Sequence, residues 1–96
     1  MEKKAKHFVY MLRCQDGTLY TGYTNDIERR LQMHEAGKGA KYTRGRGPFQ
    51  LVYKQEFATK REALQMEYQI KQWDRQKKQS LIISYQEGQD QSEDTN

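Results

Sequence analysis

The chain has 96 residues, of which 34% are hydrophobic and 31% charged, and its formal net charge at pH 7 is +4. This length predicts one domain with a modest core and excludes a second. No apolar run reaches the roughly 18 residues that cross a membrane, no signal peptide is visible, and the single cysteine, Cys14, excludes an internal disulfide. We therefore expect a cytoplasmic protein with no membrane partner.

Charge is distributed unevenly along the chain. Residues 86–96 contain four of the thirteen acidic residues, none of the seventeen basic residues and no apolar side chain. Such a composition cannot offset the entropy lost on ordering, so it predicts a disordered acidic tail. The predicted domain, residues 1–85, carries a formal charge of +8, which favours polyanions as partners. A basic surface that serves only solubility is the alternative.

The first predicted unit is a β-hairpin. Residues 7–14 and 19–23 are rich in aromatic and β-branched types, and Asp16-Gly17 between them is a turn signal. A two-residue turn there would place Tyr10 and Tyr20 on opposite faces. A three-residue loop with a bulge at or after Gly17 would instead pair Cys14 with Tyr20 and place both tyrosines on one face.

The later elements follow from capping signals and hydrophobic periodicity. They are a helix from Asn25 or Asp26 that ends at Gly37, a basic loop over 37–48, a strand over 49–57, a helix that begins at the capping box 59–62, and a short basic helix over about 75–84. The order is ββαβαα. We predict an α+β fold in which a small three-stranded antiparallel sheet is flanked by helices.

The strings Phe8-Val9-Tyr10 and Tyr20-Thr21-Gly22 resemble the two-part signature of the GIY-YIG nuclease superfamily. Arg30, His34 and Glu67 follow in the family's order, and the string 41–44 (Lys-Tyr-Thr-Arg) is similar to the small stand-alone, single-domain branch. The resemblance covers roughly residues 7–83. It departs from the family where Phe8-Val9 replaces Gly-Ile, and where residues 81–84 lack the usual late asparagine. It requires the bulged hairpin, because both tyrosines must share one face.

This resemblance implies a site for phosphodiester hydrolysis. Tyr10 and Tyr20 would line a shallow site where one of them acts on or through the attacking water. The Arg30 guanidinium would hold the phosphate oxygens. His34 would orient water or protonate the leaving oxygen. Glu67 would bind a single divalent ion, Mg²⁺ or Mn²⁺, and no organic cofactor is implied.

Each of these residues also has a purely structural interpretation. The tyrosines can be ordinary strand residues with packed rings, and Arg30 can belong to a solvated helix face. His34 can complement the helix dipole at the C-terminus of its helix. Glu67 can form an ion pair with Lys71, which lies one helical turn further on.

The basic loop is the predicted nucleic-acid contact. Its candidate binding residues combine cations with one aromatic ring, a pattern that suits phosphate contacts and stacking on an unpaired base; they are Lys38, Lys41, Tyr42, Arg44 and Arg46. A solvated, mobile loop is the alternative.

We predict a metal-dependent DNA endonuclease, monomeric, that acts on single-stranded or branched DNA in repair or recombination. The second hypothesis is a catalytically inactive nucleic-acid-binding or protein-interaction module on the same fold.

Overall fold

The computed structural model describes residues 6–94, with side chains up to residue 88. Its elements in chain order are β1 (His7–Arg13), β2 (Leu19–Thr24), α1 (Ile27–Glu35), a 3-10 turn (Lys41–Thr43), β3 (Gln50–Phe57), α2 (Lys60–Gln72) and α3 (Arg75–Asp94). The strands form one antiparallel sheet in the order β2-β1-β3. The predicted α+β class and the order ββαβαα are therefore confirmed.

A three-residue loop joins β1 to β2. The Cys14 amide donates to the Thr18 carbonyl at 2.9 Å, and the Gly17 amide donates to the Cys14 carbonyl at 2.9 Å. Gly17 has a φ of +87°, a left-handed conformation that glycine adopts without steric cost. The three-residue loop with Gly17 was therefore predicted correctly, and it closes the hairpin on the pair Cys14 and Thr18.

The predicted strand register is wrong by two residues. Tyr20 lies opposite Leu12, and Tyr10 lies opposite Gly22, because the loop begins immediately after Cys14 and leaves that residue facing Thr18. Two residues are one full pleat of a strand, so the shift does not change which face a side chain occupies. Tyr10 and Tyr20 consequently project from the same face of the sheet.

The central strand β1 is buried on both faces. Val9 and Met11 pack with residues of α2 and α3, including Ala63, Ile70 and Ile82. Tyr10 and Leu12 are also fully buried, and strand alternation places them on the opposite face. The central strand therefore contributes apolar side chains to both sides of the sheet.

The helix α1 is fixed at both ends. The Asp26 carboxylate accepts from the Arg29 amide at 3.2 Å, which identifies Asp26 as the N-cap. At the other end Gly37 has a φ of +78°, and its amide donates to the His34 carbonyl at 3.0 Å. These caps place the last helical turn, with His34, over the Tyr10 face of the sheet.

The helix α3 is longer than predicted. It runs to Asp94 rather than ending near Ser84, so residues 86–94 are helical and their predicted disorder is wrong. Glutamine and glutamate propagate a helix well, and extending a helix costs less than nucleating one. The last two residues of the predicted tail lie outside the described residues. No helix within residues 6–94 is long and apolar enough to cross a membrane.

We expect Gly17→Ala to destabilise the protein. A Cβ at Gly17 meets nothing within 4 Å, so the cost is conformational, about 1–2 kcal/mol for a residue held in the left-handed region. Gly88→Ala is the matched control, because its Cβ also meets nothing within 4 Å but Gly88 lies within α3. Thermal unfolding should give a lower midpoint for the first variant and no decrease for the second. An unchanged midpoint for Gly17→Ala would contradict this account of the turn.

Candidate active site

Three rings from three different elements meet on the α1 side of the sheet. Tyr10 comes from β1, Tyr20 from β2 and His34 from the last turn of α1. The ring centroids of Tyr10 and His34 are 5.9 Å apart, and those of Tyr20 and His34 are 5.2 Å apart. Tyr10 and Tyr20 are 6.2 Å apart. The three rings therefore form one aromatic cluster across the hairpin.

Two glycines leave room for this cluster. A Cβ at Gly22 would lie 2.6 Å from the Tyr10 hydroxyl oxygen and 2.9 Å from Cε2 of Tyr20. A Cβ at Gly39 would lie 2.8 Å from Cε1 of His34. All three distances are shorter than any ordinary carbon contact, so the absence of a side chain at these positions is a packing requirement.

A hydrogen-bond chain connects the cluster to α1 and to the basic loop. Arg30 Nε donates to the Tyr10 hydroxyl oxygen at 3.4 Å. The same oxygen lies 2.8 Å from His34 Nε2, and His34 Nδ1 lies 2.8 Å from Thr43 Oγ1. The Thr43 hydroxyl in turn donates to the Ala40 carbonyl at 2.9 Å. This hydrogen-bond chain thus runs from Arg30 on α1 to Tyr10 on β1, back to His34 on α1 and then to Thr43 in the 3-10 turn.

Burial and charge set the protonation of the cluster at neutral pH. Burial raises the pKa of Tyr10 well above its usual value, and the Arg30 hydrogen bond offsets only part of that rise. Burial also lowers the pKa of His34, and the positive charge of Arg30 acts in the same direction. The hydrogen bond to Tyr10 raises the pKa of Arg30, and Tyr20 contributes as well. At neutral pH Tyr10 and His34 are therefore uncharged beside a charged Arg30.

The members of the cluster differ in what a ligand can reach. Tyr10 and His34 are 0% and 1% exposed, whereas Tyr20 and Arg30 are half-buried. A phosphate arriving from solvent would therefore meet Tyr20 and Arg30 first. Tyr10 and His34 lie behind them and can act only through those neighbours.

The basic loop is anchored to the hairpin turn. Arg46 forms an ion pair with Asp16 at 2.6 Å, and its carbonyl accepts from the Gln15 amide at 2.9 Å. The Thr18 hydroxyl donates to Asp16 at 2.7 Å, and this bond, with Arg46, holds the pKa of that carboxyl below its usual value. The structure thus shows the loop attached to the hairpin turn.

Tyr42 joins the loop to the aromatic cluster. Its ring stacks on Tyr20 with centroids 6.0 Å apart, and the Arg46 guanidinium lies 4.9 Å from its centroid. The side chain is nevertheless 47% exposed. Lys38, Lys41 and Arg44 are exposed to solvent, so three predicted phosphate contacts remain accessible while Arg46 is engaged in holding the loop.

Glu67 lies on α2 and is not hydrogen-bonded to the aromatic cluster. Its carboxylate is 16% exposed and pairs with Lys71 at 3.0 Å, which is the ion pair that helix spacing offered as the alternative. Lys71 also lines a depression of about 320 Å³ at the edge of β2, together with Tyr20 and Lys78. Glu67 and the cluster are therefore linked through the surface between α2 and β2.

A divalent ion at Glu67 would have one protein carboxylate. Within the described part of the chain, no group of three or more histidine, cysteine, aspartate or glutamate side chains could hold a metal. This donor set suits Mg²⁺, which keeps several waters and is often bound by one carboxylate plus substrate phosphate oxygens. It does not suit a structural zinc site, which needs four nitrogen or sulfur ligands.

The sequence-predicted residues thus fall into three groups. Tyr10, Tyr20, Arg30 and His34 come together in the cluster, Glu67 lies apart on α2, and the loop residues border the cluster through Tyr42. Sequence reasoning missed Thr43, which contacts His34 directly, and Gly39, where a Cβ would overlap the His34 ring. Thr43 stood within the string 41–44, but no spacing rule indicates that its hydroxyl reaches a histidine nine residues earlier.

Comparisons with known sequences identify relatives that match most of the chain. The chain is 64% identical over 77 residues to a UPF0213 protein of Oceanobacillus iheyensis, covering 80% of this chain and 90% of that relative. It is 56% identical over 80 residues to a UPF0213 protein of Bacillus pumilus, covering 83% and 82%.

Solved structures show the same likeness. The solution NMR structure of a UPF0213 protein from Bacillus halodurans is 55% identical, with a TM-score of 0.55 and coverage of 80% of this chain and 82% of that one. A second NMR structure, of a protein from E. faecalis, is 40% identical, with a TM-score of 0.61 and coverage of 90% and 92%. Residues 6–80 match the GIY-YIG catalytic domain, and the chain therefore belongs to the GIY-YIG family.

Proposed function

We propose that this protein is a cytoplasmic, Mg²⁺-dependent DNA endonuclease that hydrolyses phosphodiester bonds. The observation that carries the proposal is the position of Arg30. Its charged guanidinium is held by the buried Tyr10 and lies beside the half-exposed Tyr20. A fixed guanidinium is suited to the non-bridging oxygens of a phosphate, whose negative charge grows as water attacks phosphorus.

The accessible and buried residues have different roles in this reaction. Arg30 binds the phosphate oxygens, and the Tyr20 hydroxyl orients the attacking water or accepts a hydrogen bond from it. Tyr10 and His34 keep Arg30 in place from behind. Glu67 would hold the divalent ion, which lowers the pKa of a bound water and neutralises phosphate charge.

The DNA contacts extend from the cluster along the basic loop and onto α3. The loop offers the exposed cations Lys38, Lys41 and Arg44, with the partly exposed ring of Tyr42. Lys78 of α3 lines the same depression as Tyr20 and Tyr42. Phosphate contacts of this kind position a strand without reading its sequence. We therefore propose single-stranded or branched DNA as the substrate, met in repair or recombination.

A non-catalytic nucleic-acid-binding module is the second candidate. The ion pair between Glu67 and Lys71 favours it, because the carboxylate that should bind the metal already has a cation. In this case the basic surface would still bind DNA, with no turnover in Mg²⁺. Cleavage assays on single-stranded, duplex and branched DNA, with an inactive-site variant purified in parallel, separate the two candidates.

Glu67→Gln should abolish Mg²⁺-dependent cleavage and leave DNA affinity nearly unchanged. The loss of its ion pair with Lys71 should change the free energy of unfolding by less than about 1 kcal/mol, because Lys71 is exposed. Glu56→Gln is the control, since Glu56 is an exposed glutamate on β3. Full cleavage by the Glu67 variant would remove this residue from the metal site.

Arg44→Ala should weaken DNA binding in a salt-dependent way. A plot of log affinity against log salt should be flatter by roughly one unit for each phosphate that the protein no longer neutralises. Arg61→Ala is the matched control, because Arg61 is an exposed arginine in the first turns of α2. Equal slopes for Arg44→Ala and the wild-type protein would place the binding surface elsewhere.

Tyr20 and Arg30 should act on cleavage as a unit. Tyr20→Phe and Arg30→Ala should each lower kcat by about 100-fold or more, the scale for a single proton-transfer or electrostatic contribution. The double variant should lose little beyond either single one, because both groups act on one transition state. Arg29→Ala, an exposed neighbour on α1, controls for helix charge. Fully additive losses would show that the two residues act in separate steps.

A further inference from the structure

The Thr43 hydroxyl occupies a defined position at the end of the hydrogen-bond chain. Thr43 and His34 are each 1% exposed, so water does not compete for their polar atoms. The oxygen Oγ1 lies 2.8 Å from His34 Nδ1 and 2.9 Å from the Ala40 carbonyl. A carbonyl oxygen can only accept, so the one hydroxyl proton of Thr43 is donated to Ala40.

This direction determines which imidazole nitrogen is protonated. With its proton used, Thr43 Oγ1 can only accept from His34, so Nδ1 carries the hydrogen. A neutral imidazole has one N–H group, and Nε2 is therefore an acceptor. The Tyr10 hydroxyl, 2.8 Å away, donates to it.

The other end of the hydrogen-bond chain is compatible with the same tautomer. Within residues 6–88, Arg30 Nε and His34 Nε2 lie within hydrogen-bond distance of the Tyr10 hydroxyl, and Tyr20 is a further neighbour. A guanidinium has no acceptor atom, so the Tyr10 proton cannot go to Arg30. With Nδ1 protonated, His34 Nε2 can accept that proton at 2.8 Å. The tautomer is therefore decided at Thr43, and Tyr10 follows it.

We propose that Thr43 is a positioning residue that fixes the Nδ1–H tautomer of His34 and thereby turns the lone pairs of Tyr10 toward Arg30. All hydrogen bonds of this series then point the same way: Arg30 donates to Tyr10, Tyr10 to His34, His34 to Thr43, and Thr43 to Ala40. The role in catalysis rests on the proposed nuclease function, whereas the tautomer itself does not. With the opposite tautomer, His34 would compete with Arg30 as a second donor to the Tyr10 oxygen.

The tautomer can be measured directly in the wild-type protein. Long-range ¹H–¹⁵N correlation spectra of ¹⁵N-histidine-labelled protein, recorded where His34 is neutral, distinguish the protonated from the unprotonated ring nitrogen. We expect protonated Nδ1 and unprotonated Nε2 for His34. The Nε2–H tautomer in the wild-type spectrum would overturn the proposal before any variant is made.

Two substitutions at Thr43 then test its role. Thr43→Val removes the hydroxyl at similar volume and should abolish the exclusive Nδ1–H signal, whereas Thr43→Ser should retain it. His7, whose Nδ1 lies 2.8 Å from the Tyr23 hydroxyl, is the internal control and should not change. Persistence of the Nδ1–H tautomer in the valine variant would show that Thr43 does not determine it.

Kinetics of the same variants test the catalytic consequence. Thr43→Val should lower kcat for DNA cleavage by about 10- to 100-fold, the range for residues that orient a working side chain through a hydrogen bond, with KM unchanged. Thr43→Ser should restore it. Absence of cleavage by the wild-type protein would contradict the nuclease function, while the spectra would still decide the tautomer.

Discussion

The buried hydroxyl of Tyr10 is the constraint on which the arrangement of this side of the sheet depends. Tyr10 lies on the central strand between two paired neighbours, and its side chain is fully buried. A buried hydroxyl needs partners, and His34 and Arg30 supply them from α1. Gly22 is required because the phenol crosses the position where its side chain would lie.

The burial of Tyr10 and His34 also means that these two residues support the site, whereas Arg30 and Tyr20 are the residues that a ligand can reach. Desolvation keeps Tyr10 and His34 uncharged at neutral pH, so the charge that the cluster offers to a ligand is that of Arg30. The uncharged side chains of Tyr10 and His34 pack behind the Arg30 guanidinium and limit how far it must move when an anion binds. A charged group that is already in place is the condition for electrostatic preorganisation. Under the proposed function, such a site would favour the geometry of a phosphate over negative charge alone.

The sequence predicted the elements well because their signals are local. Caps at Asp26 and Thr59 and the turn at Gly17 depend on neighbouring residues, and the face shared by Tyr10 and Tyr20 depends only on register parity. The contact between His34 and Thr43 could not be predicted, because it depends on how a non-periodic loop folds back over α1. The extent of α3 was underestimated, since composition does not show that a helix already begun can continue.

The attachment of the loop to the hairpin turn has a consequence for how the site forms. Thr43 reaches His34 only when the 3-10 turn is folded, and the ion pair between Arg46 and Asp16 holds that segment against the hairpin. Loops with exposed backbone are among the first segments to open in native proteins. The fraction of molecules in which His34 is hydrogen-bonded to Thr43 therefore depends on the local opening equilibrium of this loop, and a molecule can be globally folded while this contact is broken.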